Sequence, residues 1–353
     1  MTERLFNMKS LILSGLFLFF TVCNSARAAV EYSYCDANGN VAFQNINIKG
    51  GNYSPGEELQ GITIPISYTC HTQRKINGPD YRATLNLYNL GNLVNALKSN
   101  GLGTDITVQE GSNAPVTFTW NEIQAGFSGW SSSKAFGQWL EENKTYTLSG
   151  SLTFRIFVGQ VVTKNFFNIN IPETSVNILP YDTAGYRPPL PAFKSLNISA
   201  FNIRFIPDNS GRVIISPSVL RMGRFYTEYK ETMVPREIPF TVTAQQNIGT
   251  LTPFVAPLAI EFRTNGLMLA DADSSVTLQN TKGEYNGFRL LVLDEAGMPV
   301  KFNTKADMGN ISLDNGSGGR IIKQYRARVE PMPGTEIKTG DFSAAMTVIV
   351  TYI

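Results

Sequence analysis

Any acid–base or metal chemistry in this chain has one imidazole to draw on. His71 is the only histidine and adjoins Cys70, so a nucleophile–histidine–acid triad would have to be built on it alone. No Gly-x-Ser-x-Gly elbow occurs; GFSGW at Gly126–Trp130 is one residue short. Multi-histidine metal sites are excluded and CxxC pairs are absent. Asp271-Ala272-Asp273 opens like a calcium loop, but the turn glycine is missing and Lys282 stands where the closing acid belongs. Glu57-Glu58 and Glu141-Glu142 have the residue types of a glycosidase pair. Adjacent residues on a strand point to opposite faces, however, and such pairs usually sit in solvated turns. No residue is assigned a catalytic, metal-ligating or cofactor-binding role.

The segment Trp120–Tyr146 offers a different chemistry. It sets Trp120, Phe127, Trp130, Phe136, Trp139 and Tyr146 among Asn, Gln, Ser and Gly. Aromatic faces hold the C–H surface of sugars while amides and carboxylates bond the hydroxyls, so this mixture suits a lectin-like surface. Trp120 continues the Val116, Phe118 face and is expected in the core. Trp130 and Trp139, in polar surroundings, are the candidate ligand contacts, with Arg82, Asn113 and Asp80 beside them.

These residues must be positioned by strands. Tyr81–Tyr88, Ala114–Trp120, Ser151–Val158 and Phe166–Ile171 alternate with period two, as do Glu237–Ala244, Leu258–Thr264, Gly287–Asp294 and Lys323–Glu330. Turn clusters such as Asp314–Gly319 separate them. Regular short strands with few helical periods predict an all-β chain of β-sandwiches. One helix is expected where Leu90, Leu93, Val94 and Leu97 keep helical spacing ahead of Gly101.

The front end reads as an export signal. Lys9 precedes the apolar run Leu11–Val22, and Ala26-Arg27-Ala28 has a small-x-small cleavage pattern. The run is shorter than the about 20 residues of a spanning helix. Taking Arg4, Lys9, Arg27 and Glu3 from 30 basic and 28 acidic residues leaves 27 of each, which excludes a basic surface for nucleic acid. Cys35 and Cys70 are the cysteines of the processed chain, and an oxidising compartment makes one disulfide between them the default. The proline-dense stretch Pro180–Pro191 marks a stiff connector. The expected division is a signal peptide at 1–28, a first domain at 29–185, a linker at 186–195 and a second domain at 196–353.

The last segment, Gly340–Ile353, reads as one alternating strand with Phe342, Ala344, Met346, Val348, Val350 and Tyr352 on one face. An apolar edge strand without a partner is an aggregation hazard unless another chain supplies one.

Together with Phe201–Phe225, PFTVTA at Pro239–Ala244, GFRLLVLDEAGMPV at Gly287–Val300 and YRARVEP at Tyr325–Pro331, this segment resembles the subunits of chaperone–usher pili, and specifically a two-domain tip adhesin. Gly340, fourteenth from the end of the sequence, and the penultimate aromatic Tyr352 are the most specific matches. The resemblance implies an incomplete immunoglobulin-like pilin domain, completed by donor-strand complementation. A periplasmic chaperone would lend a strand along Gly340, Phe342, Ala344, Met346, Val348, Val350 and Tyr352 and anchor the carboxylate of Ile353. The next fimbrial subunit's extension would replace it at an outer-membrane usher. One departure stands out: the pilin disulfide is absent, with Ala244 about where its second cysteine would fall. That implies a less stable free subunit, more dependent on its chaperone.

Only Ala29–Tyr34 separates the cleavage site from Cys35, too little for a donor strand of about ten residues. The expectation is a non-enzymatic fimbrial tip protein, exported through the periplasm to the cell surface, whose first domain grips a glycan or protein receptor. The alternatives are a fimbrial adapter or minor structural subunit, and a secreted β-sandwich carbohydrate-active enzyme.

Overall fold

The computed structural model describes residues 32–37, 40–74, 80–126, 133–160, 166–182, 192–226 and 233–353. The expected signal peptide, Trp130 and residues 186–191 of the expected linker lie outside these.

In chain order the first half forms β1 (Tyr34–Ala37), β2 (Ile46–Lys49), β3 (Glu58–His71), β4 (Tyr81–Asn86), α1 (Gly91–Ser99), β5 (Leu102–Glu110) and β6 (Val116–Phe118). It continues with α2 (Trp120–Gly126), β7 (Ser133–Leu140), β8 (Thr145–Val158), β9 (Phe167–Ile171), β10 (Thr174–Tyr181), β11 (Lys194–Ile198) and β12 (Phe201–Ile206). Three sheets result, ordered β1-β3-β8-β5-β6, β11-β10-β4-β7 and β2-β12-β9. Alternation decides which residues face inward: Ile66, Tyr68 and Cys70 on β3 and Leu152, Phe154 and Ile156 on β8 are buried, and their neighbours are more exposed. They share one core with Leu93, Val94 and Leu97 of α1, the helix expected from its spacing. Cys35 and Cys70 are paired across β1 and β3 as a disulfide, both fully buried.

The second half forms β13 (Gly211–Ser216), β14 (Arg236–Gln246), β15 (Phe254–Arg263), β16 (Leu269–Ala270), β17 (Ser275–Gln279) and β18 (Tyr285–Leu293). It ends with β19 (Ala306–Leu313), β20 (Arg320–Pro331) and β21 (Thr347–Tyr352). A six-stranded sheet, β13-β14-β20-β18-β17-β16, and a three-stranded one, β19-β15-β21, enclose a separate core around Phe240, Val242, Phe262, Val292, Met308 and Tyr325. The chain is nearly all β, in two sandwich-like halves.

Two expectations are corrected. Residues 196–206 were assigned to the second domain. Instead β11 pairs with β10, while β12 lies between β9 and a parallel β2 and buries Phe201, Ile203 and Phe205 in the first core. The strand that closes the first core alternates as a pilin strand would, so its pattern does not tell which core it serves. The chain passes into β13 through Pro207–Ser210 alone. This turn is fastened on both sides, by Lys49–Asp208 at 2.7 Å and by Asn247 N donating to Ser210 O at 2.8 Å.

The second correction concerns Gly340–Ile353, expected as one strand. Only Thr347–Tyr352 pairs with β15. Upstream, Gly340 adopts φ +130°, and Phe342 bridges to Asn280 beside the opposite sheet, its ring 5.9 Å from that of Phe288. The segment changes sheets because a small apolar cluster of Leu278, Phe288 and Val329 takes the Phe342 ring.

Candidate functional site

β13 and β21 are edge strands of opposing sheets, and no described strand lies between them. The gap is a groove of about 1200 Å³. Its floor is the second core itself: Ile215, Phe240, Phe262, Leu290, Val292 and Val348 line it. β13 is correspondingly unprotected, with Val213 and Ile214 about 40% exposed (39% and 41%). A sandwich that leaves its core open at one seam has apolar area still to bury, and each Val- or Leu-sized side chain seated there is worth about 1.5–3 kcal/mol. The geometry is that of a β-sandwich with one seam left open.

The structure divides the residues expected along this edge. Gly340, Phe342, Ala344, Met346 and Val348 line the large groove. Val350 and Tyr352 line a smaller cleft of about 420 Å³ with Lys49, Pro207, Gly211 and Val213. The Tyr352 ring lies 6.3 Å from Phe166, and burial raises its hydroxyl pKa. The main-chain oxygen of Ile353 accepts from Arg204 Nη1 at 2.7 Å. The opposite wall, Pro217–Tyr226, was not foreseen. It has neither alternation nor helical spacing, and Phe225 reaches the groove by packing on Phe288 at 4.8 Å and Phe342 at 6.0 Å.

The first domain gathers three of the five candidate receptor contacts. Arg82 on β4 lies opposite Trp139 on edge strand β7, its guanidinium 5.0 Å from the ring centroid. Arg82 Nε donates to Gly137 O at 2.8 Å, leaving an indole that is 59% exposed. Beneath it, buried Glu110 accepts from Gln138 N at 2.8 Å, from Asn113 Nδ2 at 3.2 Å and from the Tyr68 hydroxyl. Burial and the Glu110 carboxylate push the Tyr68 pKa up, so the phenol stays a donor. Gly137 admits no side chain: a Cβ would sit 2.4 Å from Ala83 Cβ and 2.6 Å from Glu110 Oε2. The Trp139 platform is therefore rigidly backed, and Asn113 is tied to it through Glu110. Asp80 stands apart, at the head of β4, where its main-chain oxygen accepts from Asp182 N. Trp120, expected in the core, starts α2 half-buried against it, its main-chain N–H donating to Asp105 Oδ1 at 2.9 Å.

The other chemical candidates are engaged structurally. His71 Nδ1 lies 3.0 Å from Thr145 Oγ1. Glu57 accepts from Ser54 N, Glu58 pairs with Arg155 and Glu141 with Lys144. Asp271 pairs with Arg289 at 2.7 Å. Among the described residues no cluster of three or more metal-ligating side chains occurs, and no helix is long and apolar enough to cross a membrane.

No family model and no curated protein matches the chain. Solved structures similar to it are chaperone–usher pilus subunits and tip adhesins. The CupB6 tip adhesin from Pseudomonas aeruginosa has 12% identity and a TM-score of 0.31, over 90% of this chain and 92% of that one. A mutant of the CFA/I adhesin CfaE from enterotoxigenic E. coli has 11% identity and a TM-score of 0.29, over 90% and 93%. The P pilus rod subunit PapA has 16% identity and a TM-score of 0.30, over 40% of this chain and 99% of that one.

Proposed function

We propose that this chain is a chaperone–usher pilus subunit of the tip-adhesin type. In this reading it is exported through the periplasm to the cell surface, where it mediates attachment. The second domain is the assembly module and the first presents the receptor-binding surface. The observation that carries this reading is the open seam between β13 and β21, where a folded core meets solvent for want of one strand. A periplasmic chaperone, and later a neighbouring subunit, would fill it with an extended segment, using main-chain pairing for register and apolar pockets for specificity. An outer-membrane usher would be the site of that exchange. The rigidly held Trp139, stacked with Arg82, is the lectin-like contact of the first domain.

The test is co-expression with a periplasmic pilus chaperone. Deleting Met346–Ile353 abolishes capture if the groove is the docking site. Val348→Asp, which places a charge in the groove while leaving the strand intact, weakens capture at least tenfold. A complementary construction appends an alternating strand through a flexible linker after Ile353; filling the seam raises the melting temperature of the second domain. Unchanged capture by both variants, with no stabilisation from the appended strand, overturns the proposal.

A further inference from the structure

The rim of the large groove is not electrically neutral. Among the described residues lining it, Arg221, Arg224 and Lys338 are basic and Asp341 alone is acidic. Arg221 and Arg224 are exposed and form no ion pair or hydrogen bond with described residues, and Lys338 Nζ is 4.0 Å from Glu284, at the limit of pairing. Arg224 and Lys338 stand toward the Phe342 end, where Asp341 is also found. Arg224 precedes Phe225, which packs on Phe342, and Lys338 stands four residues before Phe342. The opposite end, toward Val350 and Tyr352, opens into the smaller cleft.

Exposed cations at the mouth of an apolar groove repel one another and gain from a counter-charge. Resting on the reading that this groove receives a strand, we infer that its strand partner carries acidic residues at the end lying beside Phe342. The apolar floor selects alternating side chains, and the basic rim selects which end of the segment enters where. Arg224 and Arg221 fix the direction and register of the incoming strand by charge, as the floor alone would tolerate a slip of two residues.

The probe is a labelled synthetic peptide of alternating valine and threonine carrying three glutamates at one end, made with the charge at either terminus. Its control carries three lysines instead. Binding to the full chain is read by fluorescence anisotropy. Exposed pairs are individually weak, and two or three of them together give a preference of about five- to tenfold for the acidic peptide. High salt erases that preference, because exposed pairs are screened. Arg221→Glu with Arg224→Glu reverses it, and the double change to glutamine abolishes it. Equal affinity for acidic and basic peptides, or a preference indifferent to both double variants, overturns the inference and leaves the groove a neutral strand acceptor. Failure of both peptides to bind overturns the strand-acceptor reading and this inference with it.

Discussion

Arg204, buried on β12 between Ile203 and Phe205, donates from Nη1 to the main-chain oxygen of Ile353 at 2.7 Å, joining the end of β21 to the other domain. Asn47 Nδ2 adds a second such bond, to Tyr352 O at 3.3 Å. The guanidinium is held at a cost: its Nε finds no partner, and burial lowers its pKa. Arg204→Met keeps the stem and removes the charge. The second domain then loses about 1.5–3 kcal/mol, the worth of a charged hydrogen bond, while the first keeps its stability or gains. Calorimetry that resolves the two transitions checks this; two unmoved transitions would mean the contact is energetically idle.

Trp139 is exposed on a rigid support, so Trp139→Ala changes stability by no more than about 0.5 kcal/mol. Attachment of the full chain to receptor-bearing cells is lost in the same variant. Trp120→Ala serves as the contrast, since that indole packs against the core and its removal costs about 2–3 kcal/mol. A Trp139 variant that adheres normally moves the receptor surface elsewhere.

The disulfide belongs to one domain only. Cys35→Ser with Cys70→Ser releases a loop closed over 35 residues, which removes about 3–4 kcal/mol from the first domain. The second domain's transition stays where it was, whereas a joint shift would show that the two unfold as one unit.

Acid acts on the start of α2. Glu122 accepts from the Thr119 N–H at 2.8 Å, as in a capping box, and from the Thr119 hydroxyl at 2.9 Å, and pairs with Lys134 at 2.7 Å. Lys134 first, and the Thr119 bonds next, hold its carboxyl down to about 2 from an ordinary 4.5. A depressed carboxylate stabilises fully above its unfolded value and loses that contribution as pH falls through its folded one. Stability therefore declines between about pH 4.5 and pH 2. The share is under about 1 kcal/mol, because the Glu122 side chain is 47% exposed and solvent screens it. Glu122→Gln flattens this part of a pH series of thermal melts.

Legibility in the sequence followed the physics of each segment. Strands that bury one face, such as Ser151–Val158 and Glu237–Ala244, announce themselves by alternation. β3 was missed although it is 14 residues long, because Glu58–Pro65 is lightly buried and carries Gly61 and Pro65. Phe201–Ile206, taken within Phe201–Phe225 as the entry of the second domain, belongs to the first core, since alternation fixes a face and not a partner. Gly340–Met346 kept the pattern yet left the sheet, drawn by contacts of Phe342 that only the fold creates. Arg82, Asn113 and Trp139 were legible as residue types. Glu110, which organises them, was not: a lone acid in a strand gives no sign that it will be buried under Gln138.

The turn Pro207–Ser210 has a mechanical consequence. A connection of four residues has almost no slack, so tension applied to the first domain arrives directly at Gly211 and runs along the axis of β13. There it meets a six-residue antiparallel ladder with β14, from Gly211↔Gln246 to Ser216↔Thr241. A pull along the strand loads those bonds together in shear instead of peeling them one after another. The strand that borders the open seam is thereby also a bar that takes up load between the halves, with β21, tied to Arg204 and Asn47, beside it.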